Sequence, residues 1–123
     1  LKGFVEDLAP YWEASTVFLC PIQAGSGVRV KLLEAFAAGL PVVSTRLGAE
    51  GLAQQDGEFC RLADTPAAFA DAIQRLLADP TAAHDMALRA RRHVEQEWDN
   101  QIVTQRLAAS YRQILAAKSR LPQ

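Results

Sequence analysis

The chain has 123 residues, a net charge of −1 and a pI near 6.1, so it carries no basic field for nucleic acid or an anionic membrane surface. Half of its residues are hydrophobic and 22% are charged, a composition typical of one globular domain with a real core. The longest apolar run is far shorter than the ~18 residues of a membrane span. We therefore expect one soluble domain with no nucleic-acid partner and no transmembrane segment.

The start of the chain and its two cysteines give two further expectations. The sequence begins with Leu1 instead of Met and opens on a strand-like run without signal-peptide character. We expect it to be a piece of a longer protein, truncated at the N-terminus. Cys20 and Cys60 fit no zinc-binding or CxxC spacing, so they are expected to be reduced, buried thiols.

Strands and helices alternate along the predicted chain. β-Branched and aromatic runs predict four short strands: residues 2–5, 16–20, 42–45 and 58–62. Caps and helical spacing predict five helices: residues 7–14, residues 28–38, one starting at Thr65-Pro66, one starting at Asp79-Pro80, and a terminal helix over 99–118. Gly39 has the place of the glycine that ends the second helix. This alternation predicts a three-layer, Rossmann-like α/β fold with a parallel sheet.

A glycine loop follows the predicted strand 16–20, at the edge where ligands bind in such sheets. Its N–H groups, at the positive end of the next helix, suit a phosphate. The proposed donors form the segment that we call the glycine loop: Gly25, Ser26, Gly27 and Val28. Lys31 and Glu34 follow on one stripe of an otherwise apolar helix. At ~1.5 Å rise per residue, Glu34 lies about 10 Å beyond the loop, within reach of the ribose of a bound nucleotide.

Each of these residues also has a plainer interpretation. Each glycine alone fits an ordinary tight turn, and Lys31 and Glu34 are spaced for an ion pair along the helix. Lys31 is equally suited to a phosphate contact. Arg29 fits a solvated residue of the first helical turn or a ligand for the anion. Four residues are candidates for the wall of the same cleft: Arg29, Thr45, Arg46 and Gly48.

Two segments of the sequence resemble a known enzyme family. The run GSGVRVKLLEAFAAGLPVVST, followed by LGAEGL, is similar to the donor-site segment of glycosyltransferase group 1, the retaining GT-B enzymes. The run GFVEDLAPYWEASTVFLCP resembles the family's GxVxDLxxYxxxAxVFVxP. The resemblance implies that residues 1–123 form a single, partial C-terminal domain that binds a UDP- or GDP-linked sugar. Its partner would be an N-terminal domain of the same protein.

The resemblance also implies roles for two residues. Many members carry two glutamates separated by seven residues, and the second, which matches Glu34, holds the ribose. Ser26 stands in the place of the first glutamate, which touches the transferred sugar, so the identity of that sugar stays open. No metal or other cofactor is implied. No catalytic residue is assigned to this segment, and the segment alone is expected to be inactive.

The implied activity of the whole enzyme is transfer of a sugar to a polysaccharide or a lipid-linked glycan. We expect a cytoplasmic enzyme, with attachment to the inner face of the membrane as the second option. Two other functions remain open at this point. One is a nucleotide-sugar epimerase with the same fold, and the other is a non-enzymatic Rossmann-type module. A helix that places Lys31 and Glu34 among apolar residues favours the enzymes over the module.

Overall fold

The structure is a computed structural model that describes residues 9–25, 27, 29–98, 108–109 and 112–116. Its elements in chain order are α1 (Ala9–Ala14), β1 (Phe18–Cys20), α2 (Val30–Ala37), β2 (Val42–Ser44), β3 (Arg61–Leu62), α3 (Pro66–Ala78) and α4 (Pro80–Glu97). The described strands form one parallel sheet in the order β1-β2-β3. In its register, Phe18 lies opposite Val42, and Ser44 lies opposite Leu62.

Two apolar clusters cover the two faces of the sheet. On one face Val42 of the central strand packs with Leu32 and Phe36 of α2. On the other face its neighbour Val43 packs with Leu76 of α3. Adjacent residues of β2 thus serve opposite clusters, because side chains alternate across a strand. Helices on both faces of a parallel sheet confirm the predicted three-layer α/β fold.

Two helix starts follow their sequence signals closely. The side chain of Thr65 accepts a hydrogen bond from the N–H of Ala68 at 3.1 Å, and Pro66 is the first residue of α3. Asp79 caps α4 in the same way through the N–H of Ala82, also at 3.1 Å. Each side chain satisfies one N–H that has no partner within its helix. Both predicted starts are confirmed.

Other boundaries differ from the prediction by a few residues. Helix α2 begins at Val30 because Arg29 has extended backbone angles, φ −86° and ψ 111°, and serves as its N-cap. Its end is as predicted, with Gly39 at φ 76°. The last strand is shorter than predicted because the chain turns at Gly57, whose N–H donates to the carbonyl of Cys60 at 2.9 Å.

Several predictions fall on parts of the chain outside the described residues. These are the strand 2–5, the first two residues of the helix predicted over 7–14, and the start of the terminal helix, of which residues 112–116 are helical. Cys20 and Cys60 are buried free thiols, as expected. Within the described ranges, no helix combines the length and apolar character that a membrane crossing needs.

Candidate functional site

The candidate site lies at the carboxyl edge of the sheet, where three loops leave the parallel strands. The parallel pairing continues one residue past the strands: Thr45 donates its N–H to Cys20 at 3.1 Å, and Ala63 donates to Ser44 at 2.9 Å. The loops after β1, β2 and β3 therefore start side by side. This is the edge at which open α/β sheets bind their ligands.

The glycine loop is shaped by backbone angles that other residues rarely adopt. Gly25 has φ 111° and Gly27 has φ 91°. An added Cβ at Gly25 would also crowd the guanidinium of Arg29, at 3.0 Å from Nη2. Ser26 and Val28 lie outside the described residues. The two described glycines are exposed, so their backbone faces solvent beside the start of α2.

Arg29 folds back over this loop. Its side chain is half-buried, its guanidinium lies beside Gly25, and Nη2 is 3.5 Å from the carbonyl oxygen of Ala24. Its own carbonyl accepts from the N–H groups of Leu32 and Leu33, at 3.1 and 3.2 Å. A cation is thereby held at the N-terminus of α2, a position that disfavours positive charge unless an anion is near.

Lys31 and Glu34 are both exposed on α2, whereas Leu32, Ala35 and Phe36 form its buried face. Four salt bridges occur among the described residues, and neither Lys31 nor Glu34 takes part in one. The ion pair that their spacing allows is not formed.

Glu34 lines a groove of about 430 Å³ between α2 and α4. We call it the α2–α4 groove; its other lining residues are Val30, Leu33, Ala37, Val94, Glu95 and Trp98. Its walls are largely apolar, and Trp98 also packs against the core. Glu95 carries the second carboxylate of the groove and is paired with Arg91, Nε to Oε1 at 3.1 Å. Within the described ranges the Glu34 carboxylate has no cationic partner, and such a carboxylate between apolar walls suits a ligand with hydroxyl donors.

The three candidates after β2 have different surroundings. The side chain of Thr45 is buried at 5% exposure, and Gly48 is buried as well. The N–H of Gly48 donates to Oγ1 of Thr45 at 2.9 Å, so that N–H is used within the protein. Arg46 is exposed and forms a salt bridge with Asp64, Nε to Oδ2 at 3.4 Å. Only Arg46 of these three therefore presents its side chain to solvent at the cleft.

The histidines and the Cys60 thiol in the described part of the chain lie outside the candidate site. His84 is exposed, and the ring of His93 stacks on Phe59 with centroids 4.3 Å apart. The described residues contain no group of three or more His, Cys, Asp or Glu side chains placed to hold a metal ion. Burial, reinforced by the negative charge of Asp56, raises the pKa of Cys60 to about 12.

The sequence patterns missed two features of this edge. Val94 and Trp98 pack in or against the core and also form the far wall of the α2–α4 groove. The carboxylate of Asp64, after β3, accepts a hydrogen bond from the N–H of Arg46, after β2, at 3.0 Å. Neither pairing has a local signal, because each joins residues from separate elements.

Comparisons with known proteins agree with this architecture. The chain is 36% identical over 114 residues to D-inositol 3-phosphate glycosyltransferase of Acidothermus cellulolyticus, covering 90% of the chain and 25% of that relative. Sucrose-phosphate synthase of Thermosynechococcus elongatus superposes with a TM-score of 0.78 at 29% identity, over 89% of the chain and 28% of that protein. HepE of Anabaena, solved in complex with UDP, superposes with a TM-score of 0.82 at 22% identity, over 91% of the chain and 31% of that protein.

The chain spans about a quarter of the length of the curated relatives that it matches. The sequence model described as "Glycosyl transferases group 1" matches residues 1–79, which is more than half of the chain. With its parallel sheet and two helical layers, the chain has the Rossmann-like fold of a GT-B C-terminal domain. It belongs to the glycosyl transferases group 1 family.

Proposed function

We propose that this domain binds the nucleoside diphosphate part of a nucleotide sugar for a sugar-transfer enzyme. The observation that carries the proposal is the exposed Glu34 carboxylate in the α2–α4 groove, on the same helix whose N-terminus follows the glycine loop. One helix would thereby bind a phosphate at its N-terminus and sugar hydroxyls at the Glu34 carboxylate. Family membership supports sugar transfer over the epimerase and the non-enzymatic module.

The diphosphate would bind at the glycine loop. The proposed donors are the backbone N–H groups of Gly25, Ser26, Gly27 and Val28. Arg29 and Lys31 would supply positive charge, Arg29 from its position beside Gly25 and Lys31 from the exposed face of α2. Fixed N–H groups and cations can stabilise the charge that develops on a departing diphosphate. No metal is required by this proposal.

The ribose would bind along α2. Glu34 is about 8 Å from the N-cap at ~1.5 Å per residue, close to the span between a diphosphate and its ribose. An ionised carboxylate can accept hydrogen bonds from two neighbouring hydroxyls. The apolar side chains of Val30 and Trp98 line the same groove and would contact the less polar parts of the nucleoside.

We propose UDP as the first nucleotide to test, because HepE was solved with UDP, with GDP as the alternative. The chain spans only part of the length of its relatives. We therefore propose that a second domain of the same protein binds the acceptor and that sugar transfer takes place between the two domains. The acceptor class would be a polysaccharide or a lipid-linked glycan. The proposed location is the cytoplasm or the inner face of the membrane. Arg46 lies at the same edge and would line the cleft.

The decisive experiment is a calorimetric titration of the complete protein encoded by the gene with UDP, GDP and uridine. Glu34→Gln should weaken UDP binding by about 1–3 kcal/mol, the usual cost of losing charged hydrogen bonds. Uridine binding should weaken in parallel, because the lost contact is to the ribose. Glu95→Gln is the matched control, since it removes the other carboxylate of the groove. Absence of binding to UDP and GDP at millimolar concentration would refute the proposal and favour a non-enzymatic module.

A further inference from the structure

We propose that Thr45 is a positioning residue for the donor site, because its hydroxyl fastens the loop after β1 to the loop after β2. The inference rests on the proposed function, since it concerns the loop assigned to the diphosphate. It gives Thr45 a different role from the cleft-lining one for which the sequence made it a candidate.

One hydroxyl makes both connections. Oγ1 of Thr45 donates to the carbonyl oxygen of Ile22, which lies 23 residues earlier in the chain, and accepts from the N–H of Gly48 at 2.9 Å. A hydroxyl has one donor and two acceptor sites, so it can satisfy both partners at once. A methyl group of the same size can satisfy neither. The bond to Gly48 is buried, and the bond to Ile22 is partly buried.

The tight approach of Gly48 makes this contact specific. An added Cβ there would lie 2.6 Å from Oγ of Ser44, 3.0 Å from Sγ of Cys20 and 3.1 Å from Oγ1 of Thr45. The loop after β2 is therefore pressed against the ends of β1 and β2. Only a residue without a side chain allows its N–H to reach the Thr45 hydroxyl in this arrangement.

Ile22 transmits the constraint to the glycine loop. It packs partly buried against the core cluster that contains Cys20, and it precedes Gly25 by three residues. Beyond it, the chain enters the exposed positive-φ glycines, which have the widest conformational freedom of any residue. Because the carbonyl of Ile22 is fixed, the glycine loop samples fewer conformations before the ligand binds. A loop that is ordered beforehand loses less entropy when it captures a phosphate.

The test compares three variants of the complete protein. Thr45→Val removes the hydroxyl at nearly constant volume, and Thr45→Ser keeps it. Asp79→Ala is the stability control, because it removes the cap of α4. Pro80, the residue after Asp79, lines a pocket with Val17 and Pro41, which precede β1 and β2, so Asp79 lies at the opposite edge of the sheet. Amide hydrogen exchange of the free protein and calorimetric titration with UDP and GDP are measured well below each melting temperature.

We expect Thr45→Val to speed exchange at Gly48, whose N–H loses its acceptor, by about tenfold or more. Nucleotide binding should weaken about five- to tenfold, which is no more than the free energy of the internal hydrogen bonds that are lost. Thr45→Ser should stay within about twofold of the natural protein in both measurements. Asp79→Ala should lower the melting temperature without changing either one.

Unchanged exchange in Thr45→Val would overturn the fastening role, whatever happens to nucleotide binding. Faster exchange with unchanged nucleotide affinity would overturn the positioning role and leave the proposed function intact. If the natural protein binds neither UDP nor GDP, the proposed function fails and the positioning of a donor fails with it, while the exchange data still report on the contact itself.

Discussion

The N–H of Arg46 donates to Oδ1 of Asp64 at 3.0 Å, and its guanidinium Nε lies 3.4 Å from Oδ2 of the same carboxylate. Asp64 follows β3, so this pair joins the loops after β2 and β3. Together with the Thr45 hydroxyl, it connects all three loops at the carboxyl edge. The two contacts differ in strength, because Arg46 and Asp64 side chains are 64% and 52% exposed.

We predict that Asp64→Asn lowers the free energy of unfolding by less than about 1 kcal/mol, because an amide oxygen can still accept from the N–H of Arg46 and an exposed ion pair contributes little. Asp64→Ala should cost about 1 kcal/mol, because that N–H also loses its acceptor. Urea unfolding at low and high salt measures both values. An equal, strongly salt-dependent loss in the two variants would show that the charge itself provides the stabilisation.

Gly48→Ala should destabilise the fold by about 1–3 kcal/mol, because the new methyl group would overlap Oγ of Ser44 and crowd Sγ of Cys20. The double variant Gly48→Ala, Ser44→Ala should recover part of this loss by removing the closest contact. Gly39→Ala is the comparison, since its φ of 76° imposes backbone strain while an added Cβ meets nothing within 4 Å. Thermal unfolding measures all three; the absence of any recovery would place the cost elsewhere.

Stability should fall at alkaline pH through Cys60. Burial, followed by the charges of Asp56, Cys20 and Glu58, raises the pKa of its thiol from 9.0 to about 12 in the folded state. The unfolded thiol ionises near 9.0, so unfolding releases a proton above that pH. The stabilisation is complete below pH 9 and is lost as the pH rises towards 12.

Urea unfolding between pH 8 and pH 11 measures this effect, with Cys60→Ala as the reference. The natural protein should lose stability more steeply with pH than the variant. Parallel slopes would contradict the raised pKa. The native thiol should also resist alkylation at pH 8, because the thiolate is the reactive form.

Arg29→Gln should weaken binding of UDP by about 1–3 kcal/mol and leave uridine binding unchanged, because in the proposed site this guanidinium would contact the diphosphate of the ligand and not its ribose. The difference between UDP and uridine separates this residue from Glu34, whose replacement affects both ligands. Repeating the titration at higher salt should shrink the effect. An equal loss for UDP and uridine would assign Arg29 to the shape of the loop instead.

Local signals predicted most of the fold. Thr65-Pro66 and Asp79-Pro80 each pair a capping side chain with a first-turn proline, and both helices start there. Gly39 ended α2 as predicted because a left-handed residue is needed there. The first residue of α2 was predicted less accurately, because arginine is not a residue type that marks an extended N-cap. The ends of the short strands were also hard to predict, because they are set by pairing between segments that are distant in the chain.

The candidate site was predicted less completely. Glu34 was identified from its charge on an apolar helix, yet the groove beside it depends on α4, about sixty residues later in the chain. The burial of Thr45 could not be predicted, because a threonine after a strand is equally suited to solvent and to an internal hydrogen bond. Its partner, Ile22, contributes only a carbonyl oxygen, which no side-chain pattern encodes.

Helix α4 runs from one apolar cluster to the other. Ala83 and Met86 belong to the cluster on the α3 face, whereas Ala90 and Val94 belong to the cluster on the α2 face. Neither helical layer can detach without exposing part of this helix, so the domain should melt in one cooperative transition. Because Val94 also forms a wall of the α2–α4 groove, a ligand held there would raise the melting temperature of both layers together.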